Sequence, residues 1–434
     1  MFYYSKTTNC SYKKTVDRFC FYTNLSTVPN FYMNDVGFGD CFLLSDNNDI
    51  MMVDCGTLSL SDAVFHPIVD TIKTTYIDGK ANKQALITHF HLDHYSGFEY
   101  ISSKHTEAFN KVFIPYLTIS DSNSKNIVLL ELAIYCYFLF GRNSYCYKLS
   151  EKILKQIDVI TKLTDYANIF CLSTGDQFDV GNKNYEVIWP DREFEFEEVL
   201  KYYLEKLNEI YSNHDEFMII KDKIIENMKK WFTYTSISYD DKDSKRQRIE
   251  ELIKSQKESM KRLDELKRID GSLKDNVPII NDFRYFGTKI FARDANSTSI
   301  VFHDCERKAV MDELAVTLEA DINNKDILMT GDISKRIINK YLKNRFKSNY
   351  YILKAPHHGT ESSFSKHLLR SDKILISTGY TTKNCRKIYI EYEARKNTDG
   401  KRVCSSGNNF CEVIDKGRAC MSSSCSNNIV PEIL

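Results

Sequence analysis

The hydrophobic pattern of the chain has two textures. Across residues 31–190, and again beyond 285, short apolar runs are bounded by turn-forming residues. Phe42-Leu43-Leu44 and Ile50-Met51-Met52-Val53 flank the polar stretch Asp46–Asp49, which predicts two strands joined by a tight turn. Ala85-Leu86-Ile87 reads as a buried strand and Val112-Phe113-Ile114 as another strand, while short segments punctuated by Gly175-Asp176 and Gly181-Asn182 end in Val187-Ile188-Trp189-Pro190. Ser299–Phe302, Asp326–Met329, Tyr350–Leu353 and Ile374–Ile376 are again strand-like. Ala63–Tyr76, Leu129–Phe140 and Tyr147–Leu163 have helical spacing instead. The longest apolar run, Ile127–Phe140, contains Glu131 and is shorter than the ~20 residues that span a bilayer, so it predicts a buried helix.

Residues 191–271 have the other texture, dense in Glu, Lys and Leu. Val199, Tyr203, Leu207 and Ile210 keep helical spacing, and a narrow apolar stripe runs from Ile249 to Leu266. The pattern predicts a charged helical insertion: a hairpin standing on the main body, as a lid or as a docking surface for a protein partner. The basic residues from Lys245 to Arg268 are interleaved with acids and read as a solvated helix face. Residues 1–30 lack a period and form an extension or an added strand. Residues 383–434 form a polar tail rich in Ser and Cys, and Cys404, Cys411, Cys420 and Cys425 match no familiar zinc spacing. Strands interleaved with helices in 31–190 and 272–382 predict an α/β body.

Composition sharpens this picture. An apolar fraction of 42% with 13% aromatic residues supports a sizeable core and excludes a disordered chain. Basic and acidic residues balance at 59 each, so no net field draws polyanions to the whole molecule, although a local basic groove could. The 13 cysteines are odd in number, and Cys41, Cys55 and Cys136 sit in apolar runs, which argues for reduced thiols rather than a disulfide framework. The segment Met1–Lys14 lacks the apolar stretch of a signal peptide. These features predict a cytoplasmic protein without a membrane partner.

The chemistry concentrates at strand ends. Thr88-His89-Phe90-His91-Leu92-Asp93-His94 follows a buried strand and places four ligand-type side chains within six residues. Alternate residues of an extended segment share a face, so His89 and His91 can grip one metal, and Asp93 and His94 a second once the chain turns. Mixed imidazole and carboxylate donors suit zinc, manganese or iron. Lys354-Ala355-Pro356-His357-His358-Gly359 follows another strand, and five of the 10 histidines therefore lie at two strand ends. Thr330-Gly331-Asp332 alone would be an ordinary turn; in this company its carboxylate is a candidate bridge between two metals.

Together with Asp35-Val36-Gly37-Phe38-Gly39-Asp40, Val53-Asp54-Cys55-Gly56 and Asn296-Ser297-Thr298-Ser299, these motifs resemble, in order, those of the metallo-β-lactamase superfamily. The likeness is greatest to its competence-protein branch and covers about residues 31–190 and 285–380. The resemblance implies an αβ/βα four-layer sandwich, two divalent ions (zinc first, manganese as the alternative), and hydrolysis by a metal-activated water. It places His89 and His91 on one metal, Asp93 and His94 on the other, Asp332 between them and His358 on the second. His357 is left to bind substrate or donate a proton, so Asp93 and His357 are the candidate catalytic residues. Asp54, Asp40, Asn296 and Ser299 are candidate supporting or substrate-binding residues. Many superfamily members carry a further histidine where this chain has Asn296 and Ser299, and no membrane channel of the competence type is attached.

Three functions follow: a phosphodiesterase or nuclease, with nucleic acid among the candidate substrates; a hydrolase of a small ester, lactone or thioester; and a metal-binding scaffold that recruits a protein through 191–271. A two-metal clamp favours the first, because phosphodiester attack piles charge on oxygen.

Overall fold

The computed structural model describes residues 23–25, 28–34, 36–116, 127–165, 168–192, 198–236, 242–269, 277–305, 326–347, 350–368, 371–377 and 396–404. Asp35, most of the N-terminal extension and the cysteines beyond Cys404 lie outside these residues.

Two seven-stranded sheets form the centre. The first runs in chain order through β1 (Thr23–Leu25), β2 (Val28–Met33), β3 (Phe42–Asp46), β4 (Asp49–Val53), β5 (Asn82–Leu86), β6 (Lys111–Pro115) and β7 (Ile169–Leu172). The second takes β8 (Gln177–Val180), β9 (Lys183–Trp189), β10 (Val301–Asp304), β11 (Ile327–Met329), β12 (Tyr350–Lys354), β13 (Ser371–Ile376) and β14 (Lys396–Cys404). Each sheet opens with antiparallel pairs and ends with parallel ones, from β4 to β7 and from β11 to β14. Of residues 1–30, read as an extension or an added strand, the described ones form β1 on the outer edge and the start of β2.

The two-residue period of the strands sorts their side chains between two cores. Phe42, Leu44, Met51, Val53 and Leu86 meet Val187, Phe302, Met329 and Ile352 between the sheets. Their neighbours Leu43, Ile50, Met52, Ala85 and Val301 face the helical layers. Helices thus cover a pair of packed sheets, the αβ/βα sandwich expected from the sequence. Crossovers between the parallel strands supply α1 (Asp62–Ile72), α2 (Leu92–Lys104), α3 (Ile127–Leu139) and α4 (Tyr145–Leu163). α3 is apolar all round and is buried along nearly its whole length, as a helix without a polar face must be. No helix among the described residues is long and apolar enough to cross a membrane.

The insertion differs from the hairpin expected. Among the described residues it forms three helices, α5 (Glu198–Tyr211), α6 (Asp215–Ser236) and α7 (Lys242–Ile269), followed by α8 (Pro278–Asp282), a wide helical turn and α9 (Thr288–Asn296). Leu207, Phe217, Ile224, Trp231, Ile249 and Leu263 are buried in the same core as α3 and α4. Polar bonds tie the layers together: Tyr135 Oη donates to Asn208 (2.7 Å), Tyr137 Oη to Asp264 (2.9 Å) and Lys221 Nζ to Glu131 (2.8 Å). The charge-rich text was the outer face of a covering layer, where pairs such as Arg246–Glu250 sit in solvent. The tail also differs in part, because the polar segment Lys396–Cys404 extends the second sheet as β14.

Candidate metal centre

In an open α/β sheet, side chains for chemistry collect where parallel strands end. Here β4 leads to Asp54, β5 to Thr88–His94, β11 to Thr330–Asp332, β12 to Ala355–Gly359 and β13 to Ser377. α2 begins at Leu92, directly behind His91, so Asp93 and His94 occupy its first turn. The loops lock by backbone bonds: Cys55 N–H to His94 O (2.7 Å), Asp40 N–H to Asp93 O (2.8 Å) and Gly56 N–H to Asp40 O (3.1 Å). A Cβ on Gly56 would collide with the backbone of Leu92, Asp93 and His94. We expect Gly56→Ala to lower stability by about 1–3 kcal/mol, the usual cost of overpacking, and to weaken metal binding with it. A thermal melt and metal titration that both match wild type would show that this close approach is dispensable.

The loops bring Asp93, His94, Asp332 and His358 together, all buried, with one ligand atom from each within 4.8 Å of the others. His358 Nε2 lies 3.0 Å from Asp93 Oδ2 and 3.5 Å from Asp332 Oδ2, and His94 Nε2 lies 3.1 Å from Asp332 Oδ2. The His89 ring is 4.1 Å from that of His94 and 4.7 Å from that of His91. Each of these histidines spends Nδ1 on a protein partner. His89 faces Thr88 Oγ1 (3.0 Å), His91 faces Tyr145 Oη (3.3 Å), His94 faces Asp54 Oδ2 (2.8 Å) and His358 faces Ser377 Oγ (3.1 Å). Such bonds fix the ring and aim the other nitrogen, as supports of metal ligands do. Asp54 is itself held by the Thr88 N–H and hydroxyl, both at 2.7 Å.

His89 Nε2, His91 Nε2 and Asp93 Oδ1 are buried without a hydrogen-bond partner. Unpaired polar atoms are costly in a core, and divalent cations bound there would satisfy them. At His89 and His91 the protonation state agrees with that fit. Burial, reinforced by the neighbouring His94 and His91, drives the His89 pKa well down. Burial also takes His91 to about 4, against the pull of Asp93 and Asp332. Both imidazoles are therefore neutral, the form that binds metal. Burial opposes charge on His94 and His358 too, but there carboxylates prevail. Asp332, Asp54 and Asp40 hold His94 well above its ordinary value, and Asp332 and Asp40 push His358 up to about 9.

Sequence reasoning missed three participants. Lys354 is fully buried, with Nζ 2.6 Å from Asp40 Oδ2 and 3.1 Å from Asp332 Oδ1. Burial disfavours its charge, but the two carboxylates hold its pKa above the usual lysine range. Its signal was a lone cation closing the apolar strand Tyr350–Leu353; a buried lysine has to find an acid. Ser377 and Tyr145 left no signal, because their relation to His358 and His91 exists in space alone.

The centre opens into a cleft of about 440 Å³, lined by His91, Tyr145, Lys289, Arg293, Asn296, Asp332 and His357 among others. His357 stands in the wall, part exposed, with Nε2 4.0 Å from Asp332 Oδ2 and Nδ1 3.3 Å from Ser363 Oγ. His357 and His358 both take left-handed backbone angles, φ +48° and +52°. Such strain costs about 1–3 kcal/mol per residue and collects at functional sites. Asn296 is buried with Oδ1 unpartnered and borders the cleft. Ser299 sits behind Asp332 and accepts its backbone N–H at 3.1 Å.

Residues 34–108, which carry Asp40, Asp54 and the His89–His94 loop, match the family model of the Metallo-beta-lactamase superfamily. The chain is similar to that superfamily over this segment. Its similar solved structures include a metallo-beta-lactamase family protein from Thermus thermophilus, at 15% identity over 39% of this chain and 50% of that one (TM-score 0.22). Another is a B3 metallo-beta-lactamase with an active site glutamic acid, at 11% identity over 38% and 53% (TM-score 0.20). The chain thus spans about half the length of each. No curated protein matches it.

Proposed function

We propose that the protein is a metal-dependent hydrolase of phosphodiesters. In this reading His89 and His91 hold one divalent ion, Asp93, His94 and His358 hold another, and Asp332 is shared; zinc is the first candidate and manganese the alternative. Bound there, the ions supply a water of lowered pKa and a clamp for the oxygens under attack. The chain's own residues do the rest. Asp54, Thr88, Tyr145 and Ser377 orient the imidazoles. Lys354 holds Asp332 by the oxygen turned away from His94 and ties it to Asp40.

The cleft wall carries the choice of substrate. Lys289 and Arg293 line it one helical turn apart, and Asp332, which faces the centre, is the sole carboxylate among its described lining residues. Two permanent cations in the cleft wall favour an anionic diester over a neutral ester or lactone. The motif resemblance to the competence-protein branch supports the same reading. Turnover of bis-p-nitrophenyl phosphate, a lactone and p-nitrophenyl acetate by protein loaded with zinc or manganese tests it. Hydrolysis of the neutral esters without the diester would reject it.

His357 and His358 should separate cleanly. In this reading His357, which lines the cleft, donates to a phosphoryl oxygen or a departing alkoxide, a contribution of about 10²–10⁴-fold. His357→Ala should lose kcat by that order on a dinucleotide and much less on bis-p-nitrophenyl phosphate, whose leaving group needs no proton. Metal content should be unchanged. His358→Ala should lose metal instead. If neither variant changes rate or metal content, these roles are wrong.

A further inference from the structure

The wall that brings Lys289 and Arg293 into the cleft continues outward. Pro278 to Asn296 is helical throughout, with a wide turn at Phe283–Gly287 joining α8 to α9. Lys289, Ala292, Arg293 and Asn296 share the face that lines the cleft, at the spacing of neighbours on a helix. One turn further out on that face is Tyr285, 67% exposed, and beside it Phe286, 61% exposed. Within the wide turn Phe283 is fully buried, its ring 5.2 Å from that of Tyr203, while the next two aromatics are turned to solvent. Wide turns of this kind occur frequently at functional sites. The surface therefore presents, in order from the metal centre, an unpartnered amide oxygen, two cations and a pair of bare aromatic rings.

We propose that this face is a track for single-stranded nucleic acid. Backbone phosphates sit on Arg293 and Lys289, and a base stacks on Tyr285 with Phe286 as its flank. The inference rests on the phosphodiesterase reading and names the substrate class. Length supports a strand: at 1.5 Å per residue, Tyr285 lies roughly 16 Å along the helix from Asn296. A ligand that reaches both the metals and the rings is longer than one nucleotide. The chemistry selects an open strand, because cations tracking the backbone beside aromatic platforms are how such strands are held. In a duplex the bases are already stacked on each other, leaving no base face for Tyr285.

Anisotropy of 5′-fluorescein-labelled dT10 with the chelator-treated full chain tests this without cleavage. Two phosphate contacts on a single strand predict a log–log salt slope of about −1.4. Lys289→Ala with Arg293→Ala should abolish most of that slope. Tyr285→Ala should weaken binding about 5- to 150-fold, the range for one lost stacked base, with the slope kept and the melt unchanged. No salt-dependent binding, equal affinity for the dT10·dA10 duplex, or a silent Tyr285→Ala would overturn the track. So would a Tyr285→Ala variant that altered self-association and left dT10 binding intact, since the rings would then serve a protein contact. Turnover of bis-p-nitrophenyl phosphate without dT10 binding would remove the track and leave the hydrolase reading standing. The predicted dT10 behaviour without diester turnover would remove the hydrolase reading and leave the track.

Discussion

Asp93→Ala, purified without chelator, is expected to lose at least one of two metal ions per chain and all measurable turnover while keeping its fold. Asp93 Oδ1 has no protein partner, and Oδ2 meets His358 alone at 3.0 Å. The variant therefore removes a ligand and frees one imidazole that Asp40 and Ser377 still hold. His94→Ala should give the same loss of metal with a fold that is weakened as well. His94 lies between Asp54 at 2.8 Å and Asp332 at 3.1 Å, both buried, and its removal takes one partner from each carboxylate. Breaking a buried pair by deleting one partner costs about 3–5 kcal/mol. Asp54→Asn, which weakens the support of His94 and leaves all four cluster residues in place, should reduce metal affinity by about 10–100-fold, the usual worth of a ligand's support. Elemental analysis, metal titration and thermal melts separate the three outcomes. Wild-type metal content in both alanine variants would show that the ions lie elsewhere.

The graded expectation follows from how differently these residues could be read along the chain. His89, His91, Asp93 and His94 were legible because four ligand-type side chains follow one buried strand within six residues. Asp332 and His358 were legible through their company. Lys354 was legible as an oddity, a cation at the end of an apolar run, but not its partners, since Asp40 lies in the loop between β2 and β3, on the side of the other sheet. Ser377 and Tyr145 act through contacts between distant parts of the chain, which no local pattern encodes. The strands were legible wherever both faces are buried, as in β3, β4 and β5. β14 was not, because an edge strand with Lys and Asp along it looks like a tail; natural sheets use such residues to blunt their edges. The resemblance to a known superfamily gave the ligand order, and the matched segment, residues 34–108, ends well before Asp332 and His358. Their arrival at the same cluster is a property of the second sheet.

The insertion is where texture misled most, and it carries the second large prediction. A charged stretch with a narrow apolar stripe looks separable, and replacing 191–271 by a Gly/Ser linker would then leave a folded, metal-loaded body. The structure predicts the opposite. α3 is buried on all sides, and α5, α6 and α7 supply much of its cover: Leu207, Tyr211, Phe217, Trp231 and Leu263 lie in its core. Lys267 reaches from α7 to the free carbonyls of Tyr137 and Phe140 at the end of α3, at 2.5 and 2.6 Å. Loss of a single large buried side chain costs about 2–5 kcal/mol, against a total stability of about 5–15 kcal/mol for a typical domain. The excision removes many at once and bares an apolar helix, so the shortened chain should be insoluble or lack a cooperative melt. Leu263→Ala, a milder probe of the same contact, should lower stability by about 2–5 kcal/mol with metal content at saturation unchanged. A shortened chain that melts cooperatively and binds its metals would show that the sandwich stands without this layer.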